Sequence, residues 1–227
     1  MREKIYAVNK QEYFSNTRID LLDLIPDRLK NGNLLEIGAG GGNTLVYAKE
    51  NSYAKSVYGV ELCQMENAFQ KSEKIDQFVI ANIEENKIPF KKNFFDVIIC
   101  ADVLEHLVDP YAIVESLRGY LKDDGVLIAS IPNFREISVI KSVLIKGDFK
   151  YSDSGILDKT HLRFFCKKNI ISLFKSKGYD IDIFPNFANA ENSKRKFLDM
   201  ITLHIVEEFL TVQYYIIAKK NTECDAK

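Results

Sequence analysis

The sequence predicts an α/β fold, a mostly parallel sheet with helices on both faces, and two stretches carry that prediction. Asn33 to Leu45, NLLEIGAGGGNTL, runs a short apolar strand into a glycine turn and then a helix. Phe95 to Ala101, FDVIICA, is a near-continuous apolar run of the kind that forms a central parallel strand covered on both sides. A length of 227 residues with 46% hydrophobic content suits one domain, 1–227, with a sizeable core.

Taken in order, residues 1–32 are expected to form an N-terminal helical cap. Asn16 to Leu29 places Ile19, Leu22, Leu24, Ile25 and Leu29 at near-helical spacing, with Pro26 marking a break. Tyr13 and Phe14 are placed either to close over a ligand or to pack in the core. Gly38, Gly40, Gly41 and Gly42 are too dense to continue the first strand, so the chain turns, and Asn43 or Thr44 is expected to cap the helix that carries Leu45, Val46 and Ala48. Ser56 to Val60 is a second strand ending on Glu61, whose carboxylate can accept two hydrogen bonds from a ribose diol; a solvated strand end is the bland alternative. A helix to about Glu73 and a third strand, Gln77 to Ile80, follow.

The FDVIICA strand leads into Asp102-Val103-Leu104-Glu105-His106-Leu107. Asp109-Pro110 starts an amphipathic helix over Tyr111 to Leu121, and Asp123-Asp124-Gly125 turns into strand Val126 to Ile131, stopped by Pro132. Phe134 to Lys146 sets Ile137, Ile140, Val143 and Leu144 on one helical face, followed by the polar loop GDFKYSDSGILDKTHLRFF. Residues 133–166 are therefore expected to be a helical insertion forming a lid or substrate wall. A helix over Lys167 to Lys177 ending at Gly178, a strand over Tyr179 to Phe184 and a last strand over Thr211 to Ala218 complete the chain.

Spacing narrows the ligand. A dinucleotide fingerprint would need its third glycine where Asn43 stands, and no Gly-Lys-Ser or Gly-Lys-Thr follows to make a P-loop. What stands is E-x-G-x-G-x-G, from Glu36 through Gly38, Gly40 and Gly42, with Glu61 at the end of the next strand. That pattern resembles motif I of the class I S-adenosylmethionine-dependent methyltransferases. The resemblance covers roughly Leu34 to Lys219 and implies a Rossmann-like sheet of seven strands, the last inserted antiparallel beside strand 5. It implies S-adenosylmethionine as cofactor, S-adenosylhomocysteine as product, and a site formed by Glu36, Gly38, Ala39, Gly40, Gly42, Glu61, Leu62, Asn82, Ile83, Ala101 and Asp102. At Asn82 the class often carries an acid that accepts the adenine amino group; an amide oxygen can still accept but lacks the charge. The loop G-x-x-D-x-T-H-L-R-F-F, Gly155 to Phe165, is similar to an element of bacterial methyltransferases associated with glycosyltransferases and surface-polysaccharide synthesis.

The sulfonium methyl is already activated, so the protein has to align the nucleophile and take a proton from it if it is a hydroxyl. No metal is expected. Of the three histidines, His106 and His161 fall on loops at the expected mouth of the site and His204 in a helical tail. His161 is the preferred base, oriented by Asp158; the alternative is a loop in which Asp158 caps a turn and His161 bonds to backbone. His106 is the rival, with a packing or gating role as its alternative. Tyr13, Phe134, Tyr151 and Arg163 are the candidate substrate residues, Arg163 as a clamp for phosphate or carboxylate or as a plain surface ion pair.

These features point to O-methylation of a sugar hydroxyl on a nucleotide sugar or glycan. N-methylation or methylation of another small metabolite is the runner-up. A hydride-transfer enzyme, disfavoured by Asn43, and a cofactor-binding protein without catalysis stand further off. A net charge of −1, with SKRK at Ser193 to Lys196 as the basic cluster, gives no nucleic-acid surface. Four dispersed cysteines with no C-x-x-C pair make metal and disulfide frameworks unexpected, and the absence of a signal-like or spanning segment points to the cytoplasm. No motif reads on the oligomeric state.

Overall fold

The computed structural model describes residues 16–65, 68–85, 88–187 and 193–221, so the expectations on Tyr13, Phe14 and the start of the N-terminal cap lie outside the described residues. Seven strands form one sheet: β1 (Gly32–Ile37), β2 (Ala54–Glu61), β3 (Gln77–Ile80), β4 (Phe95–Ala101), β5 (Leu121–Pro132), β6 (Tyr179–Asn186) and β7 (Gln213–Lys220). Their order is β3-β2-β1-β4-β5-β7-β6, with β1 to β5 mutually parallel and β7 antiparallel to both β5 and β6. This is the Rossmann-like arrangement with an antiparallel last strand beside strand 5.

Alternation along the strands explains why both faces are covered. On β1, Leu34 belongs to one buried cluster and Leu35 to the other; on β4, Val97 and Ile99 take one side, Ile98 and Cys100 the other. The first face packs Leu45, Val46 and Ala48 of helix Asn43–Glu50 with Leu21, Leu22, Ile25 and Leu29 of the N-terminal segment. The second packs helix Pro110–Arg118 and helix Lys167–Lys175 through Val114, Leu117, Ile170, Leu173 and Phe174. Asp109 caps the former, its carboxylate accepting from the Ala112 N–H, with Pro110 in the first turn.

Several expectations need correction. The break expected at Pro26 is there, Pro26 being extended, but the described residues on either side form only a helical turn, Ile19–Leu22, and a 3-10 turn, Asp27–Leu29. After Glu61 no helix runs to Glu73; the described residues there form a loop with a 3-10 turn, Phe69–Lys71. The buried Gln70 amide satisfies loop backbone instead, donating to the carbonyls of Gly40 and Cys63 and accepting from the Met65 N–H. Asp123-Asp124-Gly125 is not a turn before a strand but lies inside β5, where Leu121 pairs with Phe95 and Val126 with Val97, so the extra residues bulge. Helix Ile137–Leu144 buries Val139, whereas Leu144, set by periodicity on the apolar helical face, is 75% exposed. No helix among the described residues is long and apolar enough to cross a membrane.

Candidate active site

At the carboxyl ends of β1, β2 and β4 lies a cavity of about 750 Å³. Every cofactor residue expected from sequence borders it except Gly42. Gly42 instead serves the backbone: at φ 85° it is itself the residue preceding helix Asn43–Glu50, so neither Asn43 nor Thr44 caps that helix. The glycine turn is sewn to β2, with Gly38 N and Ala39 N donating to Val60 O at 2.9 and 3.1 Å. Glu61 is buried and ties the same turn from below, accepting from Gly40 N at 2.8 Å and Leu62 N at 2.6 Å. Burial pushes its carboxyl up, opposed by the N–H groups of Gly40, Leu62 and Cys63. Each oxygen has a further lone pair with which to meet a ligand hydroxyl. Asn82 borders the cavity, but its amide oxygen already accepts from Glu84 N at 3.0 Å, closing a local turn.

The end of β4 is knotted to parts of the chain that carry no motif. Asp102 sits at φ 53°, a left-handed conformation uncommon for a non-glycine residue. Its carboxylate accepts from Ser130 Oγ at 2.8 Å on β5, from the Gln213 side chain on β7, and from Arg18 Nη1 at 2.5 Å on the N-terminal segment. Arg18 also bonds Asp20; burial, which alone would lower its pKa, is outweighed by Asp102 and Asp20. Arg18 and Gln213 border the cavity and were not foreseen. Nothing local signals them, because their roles come from chain crossings 84 and 111 residues long in sequence.

Glu36, at the end of β1, faces the cavity, and its Oε2 has no hydrogen-bond partner among the described residues. Burial pushes its carboxyl up to about 8, helped by the Glu61 charge and opposed by the Thr44 hydroxyl and the Arg18 charge. The folded chain therefore holds this proton more tightly than the unfolded one does. The stability contributed is complete below about pH 4.5 and is lost as pH rises through about 8. In differential scanning calorimetry the ligand-free protein should lose a few kcal/mol of stability over that window, and Glu36→Gln should flatten the fall. The carboxylates held low, Asp20, Asp27 and Asp76, act with the opposite sign but below that window. Parallel curves for wild type and variant would show that Glu36 does not titrate there.

Beyond Asp102 a 3-10 turn, Leu104–His106, carries Glu105 and His106. His106 borders the cavity and its Nδ1 donates to Thr160 O at 3.1 Å. His161 lies behind it, 9% exposed, with ring centroids 4.7 Å apart; its Nδ1 donates to Ile156 O at 2.9 Å and its Nε2 is 4.0 Å from Glu105 Oε1. Glu105 is 1% exposed, and burial together with the Asp102 charge pushes its carboxyl well above the usual range. Asp158 Oδ1 accepts from the Thr160 N–H and hydroxyl at 2.8 and 2.7 Å, the turn-capping arrangement. Neither His161 nor Asp158 borders the cavity; His161 meets it through the ring of His106.

The remaining substrate candidates also lie outside the cavity wall. Arg163 is exposed and spends Nε and Nη2 on Val108 O, while Leu162 N and Arg163 N donate to Glu105 O, so the segment after the loop is strapped to the turn that bears the histidines. Phe134 and Tyr151 meet in an aromatic cluster with Phe149 and Phe164, and Phe164 lies 6.4 Å from His161. Glu105, Phe149 and Phe164 were not singled out from sequence.

Comparison with known proteins gives this geometry a class. The family model described as a methyltransferase domain matches residues 10–182, and the chain belongs to that family. It is 31% identical over 140 residues, 58% of each chain, to a ubiquinone biosynthesis O-methyltransferase of Actinobacillus pleuropneumoniae, and 27% identical over 207 residues, 84% of this chain and 76% of the other, to an uncharacterized protein of Methanocaldococcus jannaschii. The chain thus spans little more than half the length of the ubiquinone-biosynthesis relatives it matches. A methyltransferase structure from Archaeoglobus fulgidus superposes with a TM-score of 0.63 at 19% identity, covering 92% of this chain and 97% of that one. A phosphoethanolamine N-methyltransferase of Haemonchus contortus, solved with S-adenosylmethionine, gives 0.59 at 14% identity over 89% of this chain and 52% of the other. The chain thus carries a methyltransferase domain with the fold of structures described as S-adenosylmethionine-dependent methyltransferases. The cavity suits S-adenosylmethionine: it offers the unpartnered Glu36 oxygen and the lone pairs of Glu61 beside bare glycine backbone.

Proposed function

We propose that this methyltransferase acts on a hydroxyl group carried by a ring, and that the proton is drawn off at the Glu105–His106–His161 cluster. When bound, S-adenosylmethionine supplies a methyl group already activated by its sulfonium. Glu61 takes the ribose hydroxyls, the backbone of Gly38 to Gly40 lets the cofactor approach, Asn82, Ile83 and Leu62 border the adenosine side, and Glu36, Ala101 and Asp102 border the other. The observation that carries the acceptor chemistry is His106: it is on the cavity wall, and a carbonyl on Nδ1 makes Nε2 the acceptor nitrogen of the neutral ring. His161 and Asp158 act behind it as positioning residues. The aromatic cluster of Phe134, Phe149, Tyr151 and Phe164 lies outside the cavity wall and reaches the histidines through Phe164; its rings suit the apolar face of an acceptor ring extending beyond the cavity.

The O-methyltransferase names of the ubiquinone-biosynthesis relatives support a hydroxyl on an aromatic ring. The Gly155 to Phe165 loop supports a second reading, a sugar hydroxyl of a nucleotide sugar or glycan. Transfer of label from S-adenosylmethionine to paired panels of phenols and nucleotide sugars separates them. Methylation of phenols alone is the expected result, nucleotide sugars alone would favour the second reading, and transfer only to amines would overturn both.

A further inference from the structure

We propose that Glu105, His106 and His161 form a binding site for one divalent transition-metal ion, opening onto the cofactor cavity. One donor atom from each residue lies within 4.8 Å of the other two, close enough for small side-chain rotations to bring all three onto a shared ion. Glu105 is the independent pointer. It is 1% exposed, neither carboxylate oxygen has a hydrogen-bond partner among the described residues, and Oε1 lies 4.0 Å from His161 Nε2. A buried carboxylate left without hydrogen bonds is costly, and a cation between it and the imidazoles would relieve that cost.

The histidines are held as metal ligands usually are. Each places Nδ1 on a main-chain carbonyl, Thr160 O for His106 and Ile156 O for His161. A carbonyl can only accept, so Nδ1 carries the proton and Nε2 is the coordinating nitrogen of the neutral ring. Two imidazoles and a carboxylate prefer zinc, manganese, iron or cobalt to magnesium or calcium. Three protein ligands leave at least one position for an outside ligand, and His106 on the cavity wall fixes the direction from which it comes. The ion would bind the acceptor hydroxyl there and lower its pKa, so that the proton passes to solvent water in the cavity, a role that rests on the reading of the function given above. The strap from Leu162 and Arg163 to Glu105 O, and from Arg163 to Val108 O, keeps the two ligand-bearing loops in register.

Full-length protein stripped with a chelator tests this by calorimetric titration with zinc chloride and by visible absorption on titration with cobalt chloride. One equivalent of Zn²⁺ per chain and cobalt bands of a low-symmetry site are expected. His106→Ala and His161→Ala should each weaken binding by about a hundredfold. His204→Ala, which removes the third of the three histidines, should leave it unchanged. Glu105→Gln should also weaken it, and if that variant fails to fold the two histidine variants still decide. No stoichiometric binding, binding indifferent to His106→Ala and His161→Ala, or binding lost with His204→Ala would overturn the site. Zinc binding without transfer to any hydroxyl would uphold the site and sink the proposed function. Full transfer by stripped protein that binds no zinc would do the reverse.

Discussion

Glu61→Ala is expected to weaken binding of S-adenosylhomocysteine at least a hundredfold, measured by isothermal titration calorimetry. The carboxylate does two jobs. In the ligand-free chain it holds Gly40 N and Leu62 N, fixing the glycine turn against β2. Its removal leaves the buried Gly40 N–H without its acceptor, at a cost of about 1–3 kcal/mol, frees the half-buried Leu62 N–H, and removes the acceptors proposed for the ribose diol. Glu61→Gln, which keeps one oxygen, should fall between. Gly38→Val reaches the same end by another route: at φ 69° a side chain is strained, and the added Cβ would stand 2.5 Å from Val103 Cγ2 on the cavity wall. If Glu61→Ala kept wild-type affinity, the acid would be a strand-end tie and nothing more. A melting temperature close to wild type in Gly38→Val would show that its loss is at the pocket and not in the fold.

How much of this was legible follows from the range over which each signal acts. β3 and β4 have the limits read from sequence, because the short apolar runs in Gln77–Ile80 and Phe95–Ala101 need no distant partner to be recognised. The pocket's glycine turn and its acid were equally legible, since strand, turn and carboxylate recur at fixed spacing. What spacing could not show is where chain segments cross. Arg18 and Gln213 reach Asp102 from opposite ends of the sequence, and Gln70 replaces a helix with a loop by spending its amide on Gly40 O. Leu144 shows the same limit on an element rightly foreseen: helical periodicity set it on one face with Ile137, Ile140 and Val143, but Val139 is the buried residue of that helix and Leu144 stands in solvent. Asp158 caps its turn through the Thr160 N–H and hydroxyl and His161 bonds the Ile156 carbonyl, the second of the two readings open from sequence, while the approach of His161 to Glu105, 56 positions away, had no local signal.

That cluster decides the second large effect. His106→Ala is expected to lower kcat for a hydroxyl acceptor by about 10²–10⁴ while changing S-adenosylhomocysteine affinity by no more than about threefold. His106 is the member of the cluster that meets the cavity, so its loss removes the contact with the acceptor hydroxyl whether the ring takes the proton or holds an ion that acidifies the hydroxyl toward water. It touches neither the glycine turn nor Glu61, so the cofactor should scarcely register the change. His161→Ala should fall short of that loss, since His161 acts through Glu105 and through the ring of His106, 4.7 Å away centroid to centroid. An amine acceptor offers the control, because an amine that is neutral at the working pH needs no strong base to attack the methyl carbon. Both variants should then retain most of their rate on it. A His106→Ala enzyme that kept full turnover on a hydroxyl acceptor would move proton removal out of this cluster altogether.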